Sequence, residues 1–124
     1  MKITTKATNI TISPEIADYL DKKIKSFEKF IDASDESIII DVELGRSTRH
    51  HQTGDIFRAE FNLHMAGKSM RAVSETPDLH ASIDEAKDQM LHELRNFKTK
   101  RQHFLRRGSQ KLKEMLRGMR PPRK

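Results

Sequence analysis

The spacing of apolar residues switches from a helical period to strict alternation and back to a helical period, and that order limits the fold more than any other feature of this chain. Ile16, Leu20, Ile24, Phe27 and Ile31 follow one another at intervals of four, four, three and four, which places them on one face of a helix. Ser13 before Pro14 supplies the start: a serine oxygen can accept from the free amides of a first turn, and proline is preset for the first helical position. Ile38, Ile40, Val42 and Leu44 then alternate with other residues, as do Phe57, Ala59, Phe61, Leu63 and Met65, so each segment reads as a strand with one wet face. Leu79, Ile83, Ala86, Met90, Leu94 and Phe97 return to the helical period.

Shorter signals fill the intervals. Residues 2–7 alternate enough for a first strand, and Asp32 to Glu36 form a polar break. Residues 45–55 read as a polar loop carrying Arg46, Arg49, His50 and His51. Ala66 and Gly67 make a tight hairpin turn, with residues 68–74 returning as the partner strand. Thr76 before Pro77 repeats the cap-then-proline signal for a second helix that runs to about Arg107 and stops at Gly108. Residues 110–119 have the composition of a short further helix, ended by Gly118, Pro121 and Pro122.

The expected fold is therefore α+β in the order β-α-β-β-β-α. A right-handed crossover makes the first two strands parallel, and both helices cover one face of a four-stranded sheet. With 124 residues the chain has room for one core. The expected division is a 1–107 α+β domain followed by a basic, disordered tail over 108–124 that orders on a partner.

Charge is distributed unevenly. Residues 1–94 hold 12 Lys/Arg against 17 Asp/Glu, a balance of −5, whereas residues 95–124 hold 12 against Glu114 alone, a balance of +11. Such a concentration suits contact with phosphates or an anionic surface. The absence of cysteine excludes disulfides, cysteine-ligated zinc and thiol nucleophiles, and fits a reducing, cytoplasmic location. No stretch approaches the roughly 18 apolar residues of a membrane span.

No catalytic set stands out. Five glycines form no phosphate loop, and the adjacent His50 and His51 diverge in any extended segment, while His64, His80, His92 and His103 are scattered. Asp84, Glu85 and Asp88 read as a solvated acidic face near a helix start. Neither a metal site, a cofactor nor a small-molecule substrate is expected, and an enzyme is not the reading these residues support.

Binding is the better reading. Lys22, Lys25 and Lys29 fall together on the first helix, opposite its apolar stripe. If the two helices lie side by side, that ridge neighbours Arg95, Lys98, Lys100 and Arg101, and the combined surface contacts RNA through phosphates and shape.

Several local patterns carry a resemblance: Ile10, Thr11, Ile12, Ser13 and Pro14 at the first helix start; Lys25, Phe27, Glu28 and Lys29 at its end; Gly67 in the hairpin; Ala72 in the fourth strand; and Asp78, Leu79, Ala81, Ser82, Ile83 and Asp84 opening the second helix. In their order and spacing these residues resemble the ribosome hibernation-promoting factor and ribosome-associated inhibitor family, over about residues 3–103. The resemblance implies a protein that binds the small ribosomal subunit and its RNA near the decoding centre. It implies that messenger and transfer RNA are blocked by steric occlusion, and that the protein is monomeric when free. Lys22, Lys25 and Lys29 match the family's first set of RNA-contacting cations. At the second set this chain has Gln89, His92 and Asn96 where basic residues are usual, and His80 where the family has tyrosine; Lys87, Arg95, Lys98, Lys100 and Arg101 are the nearby substitutes. Arg106 and Arg107 extend the basic set toward the tail. The competing readings are a double-stranded RNA-binding module not tied to ribosomes, and a regulatory protein-interaction module whose basic tail meets an acidic partner or a membrane.

Overall fold

Ser13 starts the first helix as its sequence predicts. Its Oγ accepts from the Ile16 amide at 3.2 Å, and Pro14 opens helix α1 (Pro14–Lys25). The computed structural model of the chain describes residues 1–50 and 54–119. After Lys25 the backbone tightens into a 3-10 turn, Ser26–Lys29, so the helical period expected to reach Ile31 is carried by two kinds of helix. The stripe survives the change: Ile16, Leu20, Ile24, Phe27 and Ile31 are all buried.

The strands are β1 (Lys2–Thr8), β2 (Ile39–His50), β3 (Gly54–Met65) and β4 (Lys68–Thr76), side by side in that order. β1 runs parallel to β2, and β2, β3 and β4 are antiparallel neighbours. Residues at alternate positions share a face, so Ile40, Val42 and Leu44 of β2 register with Leu63, Phe61 and Ala59 of β3, which register in turn with Met70, Ala72 and Ser74 of β4. This face is buried, and the other carries the charged residues. At its centre the Phe61 ring meets Phe27 edge-on, with centroids 5.5 Å apart and planes at 90°.

The polar loop expected over 45–55 is instead a continuation of the hairpin. Arg46 pairs with Phe57, Ser47 with Ile56 and, after a register shift, His50 with Gly54. Alternation marks only strand that has a core to cover, whereas the backbone ladder forms wherever two antiparallel partners remain in reach. His51 lies outside the described residues.

Helix α2 (Leu79–Met119) also departs from expectation at both ends. Thr76 still belongs to β4, and the cap is Asp78, whose Oδ2 accepts from the Ala81 amide at 3.0 Å. Thr76 props that cap, donating to the Asp78 carbonyl oxygen at 2.6 Å. Buried Ser82 donates to the Phe57 carbonyl oxygen at 2.8 Å and so ties the first turn to β3. Far along the chain, Gly108 does not stop the helix, and residues 108–119, expected to be disordered, are helical. Glycine in an exposed helix costs only about 1 kcal/mol relative to alanine, and no proline follows until Pro121. Two compact units are distinguished, Met1–Leu94 and Arg95–Lys124. In the first unit, Leu79, Ile83, Ala86, Met90 and Leu94 of α2 are buried together with the stripe of α1.

The β3–β4 turn contains Ala66 at φ 50° and Gly67 at φ 73°, a pair of positive values that suits the right-handed twist of a two-residue hairpin. Alanine bears a penalty there that asparagine largely escapes. Ala66→Asn is therefore expected to stabilise the protein by on the order of 0.5 kcal/mol. Chemical denaturation at neutral pH measures this, and a lower midpoint would contradict the assigned turn.

Candidate nucleic-acid interface

The expected cation ridge is present on the first unit. Lys22 and Lys25 occupy the last turns of α1 and Lys29 the 3-10 turn; all three are exposed. No carboxylate lies within ion-pairing distance of any of them among the described residues. They remain available for an external anion because the helix turns its opposite face to the sheet.

Lys23, one residue away, has a different fate. Its Nζ lies 3.0 Å from Asp84 Oδ1 and 4.6 Å from the centre of the Tyr19 ring. The Tyr19 hydroxyl donates to Asp84 Oδ2 at 2.6 Å, and burial, then this hydrogen bond and the carboxylate charge, push its pKa up to about 12. Burial would raise the Asp84 carboxyl, but hydrogen bonds from Tyr19 and Lys23, with the charges of Lys23 and Lys87, hold it below the usual carboxylate range. His80 meets Tyr19 edge-on at 4.6 Å, and its Nε2 lies 3.6 Å from Glu15 Oε1. These five side chains latch α1 to the first turns of α2 and so fix the direction in which Lys22, Lys25 and Lys29 project.

Asp84 is therefore the centre of this latch, and not part of the solvated acidic face that its sequence neighbours suggest. The available signal is Tyr19 and Lys23, the chain's one tyrosine and a lysine four residues on, both beside the apolar stripe.

The remaining basic residues divide. Lys87 is half-buried with Nζ 2.7 Å from Asp88 Oδ1, so much of its charge serves a neighbouring acid. Arg95, Lys98, Lys100, Arg101, Arg106 and Arg107 are all exposed and belong to the second unit. Gln89, at a position expected to favour a cation, plays a structural part. Its Oε1 accepts from the Val73 amide at 3.3 Å, capping the outer edge of β4. His92 and Asn96 are exposed. No described helix is long and apolar enough to cross a membrane, although α2 is 41 residues long.

On the open face of the sheet Lys2 and Lys6 of β1 are exposed and have no ion pair among the described residues, whereas the arginines there are taken up by carboxylates. Glu60 is only 7 % exposed there and accepts from Arg58, Arg71 and Asn62. Arg58 also lies 3.4 Å from Glu75, and Thr4 and His64 both approach Asp41. Arginines held by carboxylates in this way are poor phosphate ligands.

The sequence profile described as "Sigma 54 modulation protein / S30EA ribosomal protein" matches residues 3–102. The chain belongs to that family. A "Ribosome hibernation promotion factor" of Picosynechococcus is 26% identical over 100 residues, spanning 81% of this chain and 50% of that protein. A "Ribosome hibernation promoting factor" of Klebsiella oxytoca is 27% identical over 104 residues, covering 83% of this chain and all of its own length, 100%. The chain thus spans about half the length of the cyanobacterial relative. Among solved structures, the N-terminal domain of Thermus thermophilus Protein Y superposes with a TM-score of 0.64 at 26% identity, over 78% of this chain and 99% of that one. Its α+β arrangement is that of the family fold expected from the resemblance.

Burial would raise the Glu60 carboxyl, yet its hydrogen bonds from Asn62, Arg71 and Arg58 hold it below its ordinary value. A carboxyl depressed in the folded state stabilises the protein above its unfolded pKa and loses that contribution as pH falls through the folded one. Glu60→Gln is expected to cost roughly 1–3 kcal/mol at neutral pH. The gap from the unaltered protein should close on acidification below the ordinary carboxylate range. A gap independent of pH in urea titrations would show that the charge of Glu60 contributes nothing.

Proposed function

We propose that this protein is a ribosome hibernation factor. It binds the small ribosomal subunit near the decoding centre, excludes messenger and transfer RNA by occupying their paths, and keeps idle ribosomes inactive in the cytoplasm. The single observation that carries this reading is the ridge of Lys22, Lys25 and Lys29, exposed and without ion pairs among the described residues, in a chain whose family profile covers residues 3–102. Three cations presented by one rigid helical face are suited to a fixed array of phosphates, and they impose orientation without reading sequence.

No reaction is required. Inhibition follows from volume exclusion once the domain is seated, and the exposed Arg95, Lys98, Lys100, Arg101, Arg106 and Arg107, together with Lys87 to a lesser degree, add to the attraction for ribosomal RNA. The free protein acts as a monomer, with no cofactor and no membrane partner.

Co-sedimentation with purified small subunits, beside binding to free duplex RNA, tests the reading. The unaltered chain should prefer subunits and inhibit translation in a purified system. Replacing Lys22, Lys25 and Lys29 together by glutamine should weaken subunit binding about tenfold or more and lower the slope of log affinity against log salt by nearly three. Equal binding to subunits and plain duplex would point instead to a general double-stranded RNA module.

A further inference from the structure

The two edges of the sheet are finished differently. On one side β4 buries Met70, Ala72 and Ser74, and Gln89 caps its Val73 amide. On the other side β1 is exposed at every residue from Lys2 to Thr8 and pairs with β2 alone. Its register with β2 is continuous, so neither bulge nor proline interrupts this edge. The Lys2 amide donates inward, to the Ile38 carbonyl oxygen at 2.8 Å. Successive residues of a strand direct their backbone groups to opposite sides, so the amides and carbonyls of Ile3, Thr5 and Ala7 line the free edge.

The side chains of β1 narrow the choice of occupant. Ile3, Thr5 and Ala7 register with Ile40, Val42 and Leu44 and continue the apolar layer, yet Ile3 is 41% exposed, so that layer reaches the edge uncovered. Lys2 and Lys6 stand on the open face, exposed and without an ion pair among the described residues. The neighbouring carboxylates lie one strand further in: Glu43 is the register partner of Lys6, and Asp41 is taken up by Thr4 and His64. A strand added outside β1 therefore meets the lysines first. A second copy of the chain is disfavoured, because every antiparallel register of two β1 strands that overlaps three residues or more, with like faces together, makes lysines direct or diagonal neighbours. RNA would answer the lysines but has no amides and carbonyls in strand spacing to complete the ladder. An acidic peptide in extended form satisfies both.

We propose that the free edge of β1 is a docking site for an extended acidic peptide segment of another protein, which adds to the sheet as a further strand. Its carboxylates lie against Lys2 and Lys6, and its alternate side chains, apolar or hydroxyl-bearing, cover Ile3, Thr5 and Ala7. Two lysines four residues apart on one face are separated by about 13 Å, a span that an extended peptide matches with acids at the same interval. This surface is separate from Lys22, Lys25 and Lys29 and does not depend on the ribosomal reading.

The probe is a short, end-blocked peptide that alternates glutamate with valine and threonine, set beside a scrambled peptide of the same composition, a version with lysine for glutamate, and an RNA duplex. Affinity of the full chain is measured by fluorescence anisotropy over a salt series, and backbone amide exchange by nuclear magnetic resonance. The alternating acidic peptide should bind best and slow exchange at the amides of Ile3, Thr5 and Ala7. Thr5→Pro removes one outward donor, leaves the β1–β2 ladder its bonds, and should weaken binding about tenfold or more. Lys2→Gln with Lys6→Gln, both at exposed positions, should weaken it about three- to tenfold and flatten its salt dependence. The peptide could instead gather on the cations of residues 95–124; affinity shared by the scrambled peptide, with no protection of the three amides, would show this and overturn the proposal. Equal affinity for the lysine peptide overturns it too, as does a lysine-pair effect on duplex binding alone. Protection that grows with protein concentration in the absence of peptide would give the edge to a second copy. Small-subunit binding is read separately, so its absence removes the proposed function without touching the peptide result.

Discussion

Phe61, at the middle of β3 and entirely buried, meets the buried ring of Phe27 edge-on, and the placement of every candidate cation on the first unit depends on that layer. The sheet has one apolar face, so α1 and the first turns of α2 must both lie on it. Once Ile16, Leu20, Ile24 and Phe27 point inward, Lys22, Lys25 and Lys29 have no direction left but outward. Truncating Phe61 to a small residue would remove about 3–5 kcal/mol, a large share of a small domain's net stability.

Within this arrangement the protein treats its cations in two ways. Lys23, Arg58 and Arg71 are bound to Asp84 and Glu60 and hold elements in register. Lys22, Lys25 and Lys29 have no carboxylate partner among the described residues, at positions where the latch through Tyr19, Asp84 and His80 keeps their helix from rotating. An electrostatic surface can select a partner by shape only if its charges are held at fixed spacing, and the structural ion pairs supply that rigidity.

Gln89 shows why a basic residue at a given helix position is not a transferable sign of function. On α2 it reaches the free Val73 amide at the sheet edge and satisfies a backbone donor that a lysine could not serve, since an ammonium has no acceptor. The cationic character of α2 lies further along, from Arg95 onward.

Periodicity alone determined that the chain alternates helix, three strands and helix around one apolar layer, because burial on one face leaves a spacing that can be counted. It also determined the split between an acidic body and a basic C-terminal quarter. The hairpin beyond Leu44, the cap at Asp78 and the helical run through Gly108 were not legible. The backbone ladder accepts almost any side chain, and Thr76 and Asp78 are both competent helix caps, so neither feature leaves a periodic mark that decides it. Tertiary structure alone decided which charges are neutralised internally and which face outward: Asp84 and Lys23 are far apart in sequence, and only the packing of α1 against α2 brings them to 3.0 Å while leaving Lys22 and Lys25 exposed.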